Sequence, residues 1–194
     1  MSEDKVIISA KSMTDEQLLK MLEDTRTRSE AFSVVVKLYS KRIYWQMRRM
    51  VYDHQDAADL VQNTFLKAWE AIDGFRGDAK ISTWLYRIAL YEALNFIKKY
   101  KRENDMRVNI TDDNLYLLDK LNADPYFDGD EAEKSFQKAI LKLPEKQRLV
   151  FQLRYYDEMP YDQMSAITGT SQGALKASYH HAIKKLEQYL KTED

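Results

Sequence analysis

Apolar residues recur every three or four positions along most of this chain, a spacing that places them on one face of successive α-helices. The longest such stripe predicts a helix from Ser29 to about Tyr52. A capping-box pattern, Thr14 followed by Gln17, predicts a shorter helix that ends near Asp24. Further helices are predicted after residues 53–56, from near Ser82, over 131–143, from 143–145, and as a pair within 160–190.

The helical pattern is interrupted by one long acidic segment. Residues 104–130 are rich in aspartate and contain a single short apolar run, 115–118. A connection of this length is unusual inside one compact domain, so we expect two domains. The predicted fold is all-α, with two helical domains joined by an acidic linker. A leader at 1–12 precedes an N-terminal helical bundle at 13–103, the linker covers 104–130, and a C-terminal helix-turn-helix domain covers 131–191.

The net charge of −1 hides an uneven distribution along the chain. Residues 30–102 carry 13 Lys and Arg against 8 Asp and Glu, whereas residues 104–133 carry 2 against 9. Residues 134–191 return to an excess of 10 basic over 5 acidic side chains. Two basic blocks are typical of a chain that binds nucleic acid. Ordinary solvated helix faces around an acidic loop would give the same counts.

The segment from Pro160 to Lys176 has the pattern of a helix, a tight turn and a second helix. Gly169 can take the positive φ that a helix C-terminus requires, and Ser171 can cap the next helix. A short turn with glycine is typical of a DNA-binding helix-turn-helix, although a plain helical hairpin has the same pattern. The polar and basic positions that we expect to face a DNA groove, with Lys176 the strongest candidate, are Ser171, Gln172, Lys176, His180 and His181.

The composition argues against several other classes of protein. Cysteine is absent and the three histidines are scattered, so we expect no metal site, no cofactor and no thiol nucleophile. We find no nucleophile–base set and no glycine-rich phosphate loop, so an enzyme is not expected. No apolar run approaches the roughly 20 residues that span a bilayer, and no signal peptide is indicated. A cytoplasmic protein without membrane insertion is the expectation.

Four segments, in this order, resemble bacterial sigma factors of the extracytoplasmic-function (ECF) type, within the sigma-70 family. Residues 56–69, DAADLVQNTFLKAW, are similar to the core helix of that family. Residues 82–89, STWLYRIA, resemble the start of its promoter-melting helix, and residues 143–148, LPEKQR, resemble the entry to its C-terminal domain. The helix-turn-helix is the fourth segment. The four segments in this order identify the family more specifically than any one of them does alone.

The resemblance implies an RNA polymerase sigma factor that directs promoter recognition and transcription initiation. Its implied partners are RNA polymerase core, promoter DNA and an anti-sigma factor. The helix-turn-helix would bind the duplex minus-thirty-five element, and the acidic linker would follow the RNA channel of polymerase. Asn63 departs from the family, where glutamate is more usual. The residues placed against the polymerase clamp are Asp56, Asp59, Leu60, Gln62, Asn63 and Lys67.

The same resemblance places a set of aromatic and basic residues beside the melted minus-ten strand. Unpaired bases need stacking surfaces, and a single strand needs cations along its backbone. Trp84 fits a purely structural core position equally well. Leu90 and Tyr91 replace a basic residue and asparagine found in many members, so base preference does not carry over. The residues that the resemblance places there are Phe75, Arg76, Gly77, Lys80, Trp84 and Arg87. We add four residues for their own chemistry, since a tyrosine can stack on a base and the others can bind phosphates: Tyr91, Asn95, Lys98 and Lys99.

Two other functions remain open from the sequence. A stand-alone helix-turn-helix regulator would bind duplex DNA specifically without polymerase. A sigma-like decoy would bind only an anti-sigma partner, and we would expect it to carry an attached sensor domain. The C-terminal domain also departs from the sigma family at Ala174 and Ala177, which lack the hydroxyls that are usual there.

Overall fold

The structure, a computed structural model, describes residues 14–105, 115–126 and 129–191, and within these ranges it contains helices and no strand. The predicted leader at 1–12 and parts of the predicted linker, 106–114 and 127–128, lie outside the described residues. The described α-helices are α1 (Asp15–Glu23), α2 (Arg28–Val51), α3 (His54–Glu70), α4 (Ile81–Asp105), α5 (Leu115–Ala123), α6 (Glu131–Leu141), α7 (Glu145–Tyr155), α8 (Tyr161–Thr168) and α9 (Gln172–Lys191), with a short 3-10 turn at Ile72–Gly74. The all-α prediction is confirmed.

Helices α1 and α3 begin where their predicted caps place them. The Thr14 hydroxyl accepts from the Gln17 amide at 3.2 Å, and the Gln17 side chain accepts from the Thr14 amide at 3.0 Å, which completes the capping box of α1. Asp53 caps α3 by accepting from the Asp56 amide at 2.9 Å. The long apolar stripe of α2 faces inward, where Val35, Ile43 and Met47 are fully buried. Helices α2, α3 and α4 pack together around this stripe.

The C-terminal helices have a core of their own. Ile140, Leu143 and Phe151, from α6 to α7, are buried against Ala182 and Leu186 of α9. The last two residues lie four positions apart on one face of the long terminal helix. This packing fixes the orientation of α9 and leaves its opposite face exposed.

Helix α5 was not predicted, since residues 104–130 were expected to form an acidic linker. It is nine residues long, and its two innermost side chains, Leu117 and Leu121, are 0% and 2% exposed. They pack against Tyr52 at the end of α2 and Leu141 at the end of α6. Because these partners are distant in sequence, local propensity alone could not reveal the helix.

The two halves of the chain also contact one another directly. Met164 and Ile167 of α8 join the same apolar cluster as the N-terminal helices. The Gln152 side-chain amide donates to the Arg49 carbonyl at 2.7 Å, and the Arg49 guanidinium pairs with Asp157. The free chain therefore has a closed arrangement. The exact domain bounds at 13–103 and 131–191 stay a prediction.

Candidate functional site

The turn between α8 and α9 has the predicted helix-turn-helix geometry. Gly169 ends α8 with φ +68°, and its amide donates to the Ser165 carbonyl at 2.9 Å. A left-handed residue here suits glycine because side chains with a Cβ are strained at that φ. Ser171 then caps α9, its hydroxyl accepting from the Ala174 amide at 3.3 Å. The turn directs α9 away from α8 with its N-terminal end exposed.

The exposed face of α9 brings the predicted groove-facing residues together. Gln172, Lys176 and His180 follow at intervals of four, so they lie along one side of the helix. All the residues predicted to bind the minus-thirty-five element are exposed, namely Ser171, Gln172, Lys176, His180 and His181. The Lys176 ammonium lies 5.7 Å from the ring centroid of Tyr161, which holds it near the turn without burying it. A helix with this face free can enter a major groove.

A second aromatic and basic surface runs from the turn after α3 along α4. The ring of Phe75 stacks on that of Trp84, with centroids 4.7 Å apart, and both rings are half-buried against the N-terminal core. Trp84 is therefore a core residue and a surface residue at once. Arg76 and Lys80 are exposed beside this stack. Gly77, at φ +74°, places its Cα against the side chain of Leu19 in α1, where a Cβ would come within 2.5 Å.

The rest of the predicted minus-ten set forms a stripe on α4. Arg87, Tyr91, Asn95 and Lys98 are all exposed and recur at four, four and three positions, which keeps them on one face. Tyr91 is 54% exposed, so its ring is free to stack on a base. Lys99 is exposed beside this stripe and lies 3.9 Å from Glu103. Arg87 already has a partner, because its guanidinium donates to the Ala166 carbonyl of α8 at 2.6 Å.

The outer face of α3 carries most of the predicted polymerase-binding residues. Asp59, Gln62 and Asn63 are exposed there. Lys67 is also exposed and pairs with Glu92 of α4 at 2.5 Å. Asp56 is engaged by Lys120 of α5 at 2.9 Å.

Leu60 is the exception among these residues. It is 3% exposed and packs in the N-terminal core with its neighbours from α2, so its side chain does not reach the outer face. Leu60 belongs to the apolar stripe of α3, and helical spacing turns that stripe inward. In the free chain Leu60 therefore lies beneath the exposed docking face, and its contact with polymerase stays a prediction.

An apolar groove beside this face was not predicted as part of a site. Leu66 is 61% exposed and Trp69 42% exposed, and both line a groove of about 530 Å³ between α2 and α3. Trp69 packs edge-on against Phe32 of α2, with ring centroids 5.0 Å apart. The signal in the sequence was a second apolar pair next to the core stripe of α3. Large exposed apolar side chains that adjoin polar ones are typical of interaction surfaces.

The described residues contain no group of His, Cys, Asp and Glu that could hold a metal ion. Among the same residues, no helix is long and apolar enough to cross a bilayer.

Known proteins resemble this chain over nearly its full length. The ECF RNA polymerase sigma factor SigW of Bacillus subtilis is 31% identical over 168 residues, which cover 84% of this chain and 90% of SigW. The chain belongs to the ECF sigma factors. The RNA polymerase sigma-H factor of Pseudomonas aeruginosa is 29% identical over 91% of this sigma factor and 93% of its own length.

Family profiles and solved structures fit the same assignment. The profile for Sigma-70 region 2 matches residues 35–103, and that for Sigma-70, region 4 matches residues 133–186. RpoE of Bartonella quintana, solved with the anti-sigma factor NepR, has a TM-score of 0.64 at 23% identity over 84% of this chain and 98% of that one. CnrH, solved with the cytosolic domain of CnrY, has a TM-score of 0.63 at 20% identity over 98% and 97%. At these identities the two structures show a shared fold.

This sigma factor therefore acts in promoter recognition and transcription initiation. The stand-alone regulator is not favoured. The assignment of individual residues to polymerase, the minus-ten strand and the minus-thirty-five duplex stays a prediction.

Proposed function

We propose that this sigma factor binds promoter DNA at two places while it docks on RNA polymerase core, and that it carries no catalysis of its own. The exposed face of α9 binds the minus-thirty-five duplex. The Phe75–Trp84 stack and the stripe along α4 hold the melted minus-ten strand. The outer face of α3 binds the polymerase clamp. The observation that carries the proposal is the exposure of all three surfaces on a chain that belongs to the ECF family.

The docking face combines polar and apolar parts. Asp59, Gln62 and Asn63 supply hydrogen-bonding groups, while Leu66 and Trp69 supply apolar area in the adjoining groove. Stable interfaces have this composition, with an apolar centre and a polar rim. We therefore extend the proposed polymerase-binding surface to Leu66 and Trp69 and leave out the buried Leu60.

The minus-ten surface combines stacking with positive charge. The exposed Tyr91 ring offers a flat face to a base, and the Phe75–Trp84 stack offers a second. Arg76, Lys80 and Lys98 are exposed around them and neutralise backbone phosphates. Single strands bind to such surfaces through stacking and charge.

One further partner, in addition to polymerase and DNA, is proposed from the relatives. RpoE of Bartonella quintana and CnrH were solved bound to NepR and CnrY, and we propose an anti-sigma factor for this chain as well. Polymerase and promoter DNA place its action in the cytoplasm.

Transcription from a defined template tests the proposal. Core polymerase with this protein is expected to give run-off transcripts from a subset of a genomic fragment library, and neither component alone should do so. In a gel shift without polymerase, the protein should bind promoter DNA weakly, because its net charge is −1. Tight, specific binding without polymerase, together with no added transcripts, would contradict the proposal and favour the stand-alone regulator.

A further inference from the structure

Helix α5 touches both halves of the molecule. Its inner face, Leu117 and Leu121, packs on Tyr52 of the N-terminal half and on Leu141 of the C-terminal half. Asp124, just beyond the helix, pairs with Arg48 of α2 and has a side chain only 2% exposed. The helix therefore lies between the two promoter-binding halves and packs against both.

The polar face of α5 engages the N-terminal end of α3. The Lys120 ammonium lies 2.9 Å from a carboxylate oxygen of Asp53 and 2.9 Å from one of Asp56. Asp53 is the residue that caps α3, and Asp56 is one of the predicted polymerase contacts. In the closed chain, Lys120 of α5 therefore forms ion pairs with two carboxylates at one end of the proposed docking face.

A residue proposed to bind the promoter also forms a direct contact between the two halves. Arg87, from the proposed minus-ten stripe, donates to the Ala166 carbonyl in the last turn of α8 at 2.6 Å. Carbonyls in a last turn lack helical partners and lie at the negative end of the helix, so a guanidinium suits them. The minus-ten stripe thus lies against the helix-turn-helix.

This closed geometry is incompatible with binding both promoter elements. The two elements lie about 25 base pairs apart by their names, which is on the order of 80 Å of duplex at 3.4 Å per base pair. Arg87 and Ala166 are in hydrogen-bond contact. The two halves must separate before α4 and α9 can reach their elements together.

We propose that α5 is an autoinhibitory helix that keeps the free sigma factor closed and covers part of its polymerase-docking face. Core polymerase must displace Lys120 from Asp53 and Asp56 when it binds. This inference rests on the proposed docking function of α3. It goes further by assigning a segment of the same chain as the competitor of polymerase.

The contacts of α5 are weak enough for the helix to undock and dock again. At nine residues it is too short to persist alone in water, so it forms only while it is docked. Lys120 and both of its carboxylate partners are 23–29% exposed, so the ion pairs are weak enough to exchange. Among the side chains of α5 whose burial the structure describes, two leucines, Leu117 and Leu121, lie fully in the apolar interior.

Two variants weaken the docking of α5 by different means. Lys120→Ala removes both ion pairs and should shift the closed-to-open equilibrium about threefold to tenfold toward open. Leu121→Ala removes apolar contact and should shift it more than about tenfold. Asn122→Ala is the matched control, since Asn122 is exposed on the same helix and makes none of these contacts.

The first measurement uses the free protein. The chain contains no cysteine, so Glu70→Cys and Glu187→Cys, both at exposed positions in opposite halves, accept spin labels without background. Distance distributions from pulsed electron resonance should be narrow in the parent and in Asn122→Ala. They should broaden to longer distances in Lys120→Ala and Leu121→Ala. An unchanged distribution in both variants would overturn the proposal.

The second measurement uses unlabelled protein and core polymerase. Lys120→Ala should associate with core about threefold to tenfold more tightly than the parent, since the competent fraction rises by that factor. Wider distances without tighter association would overturn the competition between α5 and polymerase. That result would leave the docking face itself in place, because its own test is the loss of binding in Asp59→Ala with Gln62→Ala.

Discussion

The guanidinium of Arg87 in α4 donates a hydrogen bond of 2.6 Å to the carbonyl of Ala166 in the helix-turn-helix. One residue thus belongs to the proposed minus-ten surface and also to the contact between the two halves. In the proposed function, the guanidinium that donates to a carbonyl in the free chain would bind a phosphate of the minus-ten strand. Promoter binding would then exchange an internal contact of Arg87 for an external one.

Arg87→Gln should reduce promoter melting by about threefold to tenfold, because one cation beside the single strand is lost. Holoenzyme assembly should be no weaker than in the parent, because the substitution removes only a contact of the closed form. Permanganate reactivity of unpaired thymines, measured at saturating holoenzyme, reports the melting. Arg26→Gln is the matched control, since the exposed Arg26 pairs only locally with Asp24. Equal reactivity in Arg87→Gln and the parent would remove Arg87 from the minus-ten surface.

Lys176→Ala should lower transcription from promoters with a minus-thirty-five element by about 5- to 100-fold, the cost of a lost base or phosphate contact. On a template with that element scrambled, the variant and the parent should transcribe equally. Lys191→Ala, an exposed lysine about 22 Å further along α9, serves as the control. If Lys176→Ala transcribes as well as the parent on the intact promoter, α9 does not bind through this residue.

Two glycines near the turn should respond to alanine in opposite directions. Gly169 has φ +68°, so Gly169→Ala should destabilise the chain by about 1 kcal/mol. Gly173 lies in the first turn of α9 with nothing within 4 Å of a built Cβ, so Gly173→Ala should stabilise it by up to about 1 kcal/mol. Urea unfolding followed by circular dichroism measures both. Equal effects of the two substitutions would contradict the turn geometry.

The turn and the caps could be predicted because their chemistry is local. Gly169, Ser171 and Thr14 each act on residues within a few positions, and each has the predicted partner. Helix α5 could not be predicted, because Leu117 and Leu121 depend on Tyr52 and Leu141. A short apolar run in an acidic segment carries no sign of such distant partners.

In the candidate site, too, features set by local sequence could be predicted, and features set by distant packing could not. The exposed faces of α4 and α9 follow from helical spacing, which the sequence contains. The burial of Leu60 fits its place among the apolar positions of α3, whereas the family motif marks that helix without marking which of its faces is buried. The contact of Arg87 with Ala166 joins residues 79 positions apart, so only the packing of the two halves reveals it.

The buried phenol of Tyr52 makes the stability of the chain depend on pH. Burial at the end of α2 raises the pKa of its phenol to about 12, even though Arg148, Gln152, Arg49 and Arg48 act in the opposite direction. Because this pKa lies above the ordinary value of 10, the contribution of Tyr52 to stability is complete below pH 10. It is lost as the pH rises through about 12.

Unfolding by urea at pH 9 and at pH 11.5 tests this contribution. The parent should lose more stability between these values than Tyr52→Phe does, by about 2 kcal/mol, since phenylalanine does not ionise. All other ionisable groups are the same in the two proteins, so their contributions cancel in the difference. An identical loss in the two proteins would show that Tyr52 is not buried as described.

Direct binding to core polymerase tests the central claim most closely. The wild-type chain should form a one-to-one complex with core in analytical ultracentrifugation. Asp59→Ala with Gln62→Ala, and separately Leu66→Glu, should bind at least about tenfold more weakly while keeping the helical circular dichroism of the parent. The control pair Asp119→Ala with Asn122→Ala changes exposed polar residues outside the docking face and should bind no more weakly than the parent. A wild-type chain that remains free in the presence of core polymerase would contradict the account.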